Sequence, residues 1–100
     1  MLLIDQHKAN IEALCRQHSV RRLYAFGSVL SDRFSEQSDI DLLVDFADVD
    51  LEHYADNYYN FKFALEAVLG HPIDLIEEKA LRNPYFKQNV EAHRQILYAA

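Results

Sequence analysis

The stretch Phe26-Gly27-Ser28-Val29-Leu30-Ser31-Asp32-Arg33-Phe34-Ser35-Glu36-Gln37-Ser38-Asp39-Ile40-Asp41-Leu42-Leu43-Val44-Asp45-Phe46 decides the fold. Its end alternates. Ile40, Leu42, Val44 and Phe46 point one way, and Asp39, Asp41, Leu43 and Asp45 the other, so 39–46 reads as a half-buried strand. Its beginning is a glycine-serine turn. The turn leaves Val20 to Phe26, a short run rich in strand formers that predicts a second strand over 20–26. A short helix over 28–34 and a polar loop over 35–38 join the two.

The flanks extend the pattern. Ile4, Ile11, Leu14, Cys15 and His18 recur at helical spacing and predict a helix over 4–18. Leu51, Tyr54, Tyr58, Phe61, Leu65 and Val68 form the stripe of a long helix over 50–69, with Gly70 as its stop. Pro72 to Glu77 predicts a third strand, with proline at its tolerated first position. Asn83-Pro84 opens a last helix that runs to His93. The tail 95–100 either extends that helix or adds an edge strand. The order αβαβαβα implies an α/β (α+β) domain, a small mixed sheet flanked by helices.

Composition sets bounds. One hundred residues suit one compact domain. No apolar run approaches the ~20 residues that span a bilayer, and charged residues from Asp5 to Lys8 break up any leader-like segment. The lone Cys15 cannot form an internal disulfide; it reads as a buried, inert thiol, and cytoplasm is the expected compartment. The net charge is −6, from 16 acids and 10 bases. A chain that grips nucleic acid alone should be basic, so direct nucleic-acid binding is not expected.

Three features carry chemistry. The chain has two glycines, where average usage gives about seven. Gly27 stands between a strand and Ser28, where a missing Cβ lets the backbone turn sharply and approach a ligand. Ser28 opens the short helix, and free N–H groups there favour phosphate. The plain alternative is a strand-to-helix turn with a serine cap. Asp39 and Asp41, two apart on a strand, share a face roughly 6.6 Å apart. Carboxylates so placed repel one another unless a cation lies between, and Mg²⁺ takes carboxylate and phosphate oxygens together. One or two Mg²⁺ ions suit the pair; a merely solubilising role is the alternative. Asp74, between Ile73 and Leu75, points away from the face those two bury. It joins the other acids if its strand lies beside 39–46.

Other motifs are poorer. Asp48-x-Asp50-x-Glu52 lacks the glycine and the last glutamate of a calcium loop. The five histidines show no zinc spacing, and no hydrolase signature is present.

Taken together, Phe26-Gly27-Ser28, then Ser38-Asp39-Ile40-Asp41-Leu42-Leu43-Val44, then Pro72-Ile73-Asp74-Leu75-Ile76 resemble the polymerase-beta-type nucleotidyltransferase superfamily. In particular the chain is similar to the minimal nucleotidyltransferases (MNT) of prokaryotes, along its whole length, as a single minimal nucleotidyltransferase domain over 1–100. The resemblance implies transfer of NMP, AMP from ATP, with Mg²⁺ as cofactor. It implies Asp39, Asp41 and Asp74 as catalytic and metal-binding residues, and Gly27 and Ser28 on the nucleotide's phosphates. It also implies a HEPN-type protein partner, with this chain as the antitoxin of a toxin–antitoxin pair, in a homo- or hetero-oligomer. Two alternatives stay open: a module that neutralises its partner without catalysis, and transfer to a small molecule. The chain departs from the family where arginine and glycine commonly follow the Gly-Ser. Val29 and Asp32 stand there, leaving Arg33, Lys79 or Arg82 as bases for phosphate.

Overall fold

The quoted stretch forms two neighbouring strands. β1 (Val20–Phe26) and β2 (Ile40–Phe46) pair antiparallel, with Leu23 opposite Val44 and Phe26 opposite Asp41. In the computed structural model, which describes residues 2–100, β3 (Ile73–Glu77) joins β2 in parallel. β4 (Gln95–Ala99) pairs antiparallel with the free side of β1, so the mixed sheet runs β3-β2-β1-β4. A parallel neighbour requires a crossover, and α3 (Leu51–Leu69) supplies it. Gly70, at φ +69°, stops that helix in the left-handed conformation, its N–H bonded to Glu66 O at 2.9 Å.

One sheet face is thickly covered. Leu23, Ala25, Ile40, Leu42, Val44, Ile73 and Leu75 point into it. They meet Ile11 and Cys15 of α2 (Lys8–Gln17) and Phe61, Leu65 and Leu69 of α3. The Phe61 ring stands edge-on to Phe46 at 5.9 Å, and burial of a side chain like Phe61 contributes roughly 1.5–3 kcal/mol. The second face is thinner. Tyr24, Phe26 and Leu43 pack there against Val90 of α4 (Pro84–His93). Leu43 is fully buried, so β2 is covered on both faces at its centre rather than half-buried throughout. Only its ends leave acids accessible.

Local chemistry explains the differences from the expected elements. The first helix is two: α1 (Leu2–Gln6) and α2, separated at His7. There the His7 N–H bonds to Ile4 O, three residues back, and the chain turns more tightly, with Ile4 and Ile11 on either side both buried in the core. The segment after Gly27 is a single 3-10 turn, Gly27–Leu30, rather than a helix to residue 34. The Ser31 hydroxyl donates to Ser28 O at 3.0 Å and accepts from Arg33 N at 3.2 Å, which ends the turn. Leu51, expected in the α3 stripe, is 93% exposed. It lies at the first helical position, before the stripe meets the core at Tyr54. The tail resolves as strand β4, an edge of the sheet. No helix is long and apolar enough to cross a membrane among the described residues.

Candidate active site

β2 carries two acids on its second face that meet different fates. Asp45 is neutralised: Arg22 Nη2 donates to its Oδ2 at 2.9 Å, and Arg21 Nη1 lies 3.6 Å away. Asp41, four residues earlier, has no Arg, Lys or His within ion-pair distance among the described residues. Its neighbours are acids. Parallel register sets Asp74 of β3 directly opposite Asp41. The Asp41 carboxyl is raised above the ordinary carboxylate range by burial first, then by the charges of Asp74 and Asp39. Such a group favours an incoming cation.

Asp39 lies one residue ahead of β2, which begins at Ile40 rather than at 39. The Ile40 N–H bonds to Pro72 O at 2.9 Å, and His71 Nδ1 donates to Ser38 O at 2.9 Å. These two bonds fix the entry to the strand and hold Asp39 at its mouth. Asp39 and Asp74 are exposed, and Asp41 is partly buried between them and the turn.

Gly27 closes the other side. Its φ is +76°, and a Cβ there would lie 2.5 Å from Asp41 Oδ2. The glycine is required twice, by the backbone and by the carboxylate. The close approach that Gly27 permits here is that of the Asp41 carboxylate. Ser28 gains no helix dipole, contrary to the expected helix over 28–34, because a four-residue 3-10 turn carries too few aligned peptides.

An open groove of about 850 Å³ borders this turn, with Gly27, Ser28, Ser31 and Arg33 on one wall and Asn89 and His93 of α4 on the other. Arg33 is thus the base that meets Ser28. Lys79 sits instead over the Tyr54 ring at 4.3 Å, and Val29 turns into the core. Asn89 and His93 escaped the sequence reading. Their i, i+4 spacing is a weak signal on an otherwise polar helix, and only the packing of Val90 turns that side towards the sheet. His93 Nδ1 bonds to Asn89 O at 2.9 Å, which ties the two together.

The residues fit a metal only in one way. Among the described residues no group of three His, Cys, Asp or Glu side chains is arranged to hold an ion, so a closed protein cage is not what Asp39, Asp41 and Asp74 form. Two facing carboxylates with an open side suit a hard cation that completes its shell with substrate phosphate oxygens, the usual manner of Mg²⁺. Chemically, the arrangement can hold a polyanion beside a cation and offer carboxylates to a hydroxyl.

Residues 8–97 match a family described as the nucleotidyltransferase domain. A relative from Methanocaldococcus jannaschii, provisionally named a protein adenylyltransferase, is 32% identical over 89 residues, spanning 89% of this chain and 85% of its own. A solved structure provisionally described as a minimal nucleotidyltransferase superposes with a TM-score of 0.76 and 29% identity, covering 92% of this chain and 90% of that one. A chain of the complex between tri-AMPylated HEPN toxin of Shewanella oneidensis and MNT antitoxin gives a TM-score of 0.65 at 21% identity, covering 96% and 72%. That last likeness is one of fold.

Proposed function

Since the chain belongs to the nucleotidyltransferase domain family, we propose that this nucleotidyltransferase moves AMP from ATP onto a hydroxyl of a partner protein. One observation carries the reading: Asp41 faces Asp74 in register, with no base beside it, against a glycine that leaves room for its carboxylate. Asp41, Asp74 and Asp39 would hold Mg²⁺. When bound, the ion supplies charge neutralisation for the carboxylates and for the phosphates.

The residues divide the work. Gly27 and Ser28, with Arg33 on the same wall of the groove, hold the β- and γ-phosphates. An acceptor oxygen attacks the α-phosphorus, the bond to the β-phosphate bridge breaks, and pyrophosphate leaves. Exposed Asp74 takes the hydroxyl proton, or serves as a metal ligand while water takes it. Positioning and electrostatic stabilisation supply the acceleration.

The acceptor is a protein in this reading because the relatives are named for protein adenylylation and a structural neighbour belongs to a complex with an AMPylated toxin. A HEPN-type toxin is the proposed partner, and this chain its antitoxin. ATP labelled at the α-phosphate, incubated with Mg²⁺ and the purified partner, tests it. Label on the partner, lost with Asp41→Asn, is the expected result. Neutralisation of the partner without label, unaffected by Asp41→Asn, overturns it in favour of a binding module.

A further inference from the structure

Phe86 is 44% exposed and lies on α4, the helix that supplies one wall of the groove. Its ring stands edge-on to Phe26, with centroids 6.2 Å apart and planes at 79°. Phe26 is the β1 residue directly opposite Asp41. Phe86 therefore packs against the β1 partner of Asp41, and it meets no other aromatic ring among the described residues. It is also held firmly. Asn83 Oδ1 accepts from Tyr85 N at 3.0 Å and from Phe86 N at 3.1 Å, and Pro84 fixes the first helical position. Asn89 and His93, three and seven residues on, share its side of α4 and line the groove.

From these positions we propose that Phe86 is the nucleobase platform of the site, on which the purine of the bound nucleotide stacks. The proposal rests on the nucleotide-binding reading above. The groove runs between Gly27, Ser28 and Arg33 and the Asn89 and His93 of α4, and Phe86 lies one turn before Asn89 on that side of the helix, so a nucleotide with its terminal phosphates at Ser28 and Arg33 directs its base along α4 to Phe86. An aromatic face binds any base through its π surface and needs no hydrogen-bond readout, so the platform adds affinity rather than a choice among bases.

The test compares ATP with inorganic tripolyphosphate, each with Mg²⁺, by equilibrium binding to the full chain. Phe86→Ala and Phe86→Leu are both made, because leucine keeps an apolar contact with Phe26 but cannot stack. Both variants are expected to bind ATP about ten-fold more weakly, with tripolyphosphate affinity unchanged, and Phe86→Trp to bind ATP at least as well as the wild type. Equal ATP affinity in wild type and both variants overturns the platform, as does an equal loss of ATP and tripolyphosphate. Wild-type protein that binds neither ligand overturns the nucleotide reading itself, a result distinct from either.

Discussion

Asp41 Oδ2 occupies the space where a side chain at Gly27 would begin: a Cβ there would stand 2.5 Å away. The turn and the carboxylate therefore specify each other. Gly27→Ala must move Asp41 as well as strain a φ of +76°. The strain alone costs about 1–2 kcal/mol, and a carboxylate displaced by an ångström lowers transfer by about 100-fold. Gly70→Ala is the control. It carries the same kind of φ, +69°, with nothing within 4 Å of its Cβ, so it loses about 1–2 kcal/mol and keeps its activity. Denaturant unfolding and label transfer measure the two variants, and equal activity in both would refute the coupling.

Asp41 also gives a pH prediction. Burial, then Asp74 and Asp39, raise its folded pKa above the unfolded value. A carboxyl shifted that way contributes stability below the unfolded pKa and loses it as pH rises through the folded one. At neutral pH its ionised form works against the fold. Asp41→Asn should melt higher than the wild type at pH 7, and the gap should shrink as pH falls towards about 4. Transfer should fall by at least about 100-fold. A variant that melts no higher at pH 7 would contradict the electrostatic account.

Asn83 caps α4 with two side-chain bonds. Asn83→Ala should cost about 1 kcal/mol and speed hydrogen exchange at the Tyr85 and Phe86 amides, with β1 amides unchanged relative to global stability. Unchanged exchange at those two positions would show that Pro84 alone holds the turn.

Burial pushes the Cys15 thiol up to about 12, with Glu12 adding to the rise. At pH 8 almost no thiolate exists in the folded protein. Alkylation by iodoacetamide should therefore follow global unfolding and accelerate with urea in step with it. Fast labelling in native buffer would place Cys15 on an accessible surface.

The strands were legible in the sequence, because alternation and a glycine-serine turn are local signals. Val20–Phe26 and Pro84–His93 fall where their patterns place them. The pairing of Asp74 with Asp41 needed only the condition that two strands be neighbours, which β3 beside β2 satisfies. What stayed hidden depends on contacts distant in sequence. Periodicity cannot show the break at His7, because Ile4 and Ile11, seven apart, keep helical spacing across it. Nor can it show that Leu43 is covered from a second side by Val90. Asn89, His93 and Phe86 belong to a helix whose orientation is set by that same cover. The distinction between Asp41 and Asp45, alike in the pattern, comes from Arg22 across the sheet.

The crossover through α3 has a consequence for how the molecule comes into being. Parallel strands joined across a helix are non-local partners, and non-local contacts form late and slowly. A chain emerging from synthesis acquires Gly27, Ser28, Asp39 and Asp41 well before Asp74, which must wait for all of α3. Half of the carboxylate pair is therefore missing until β3 has been made. Asp41 gains its acidic neighbour Asp74 only when β3 pairs with β2. The acidic pair is thus timed by the chain's own maturation: it comes into being with the β2–β3 ladder.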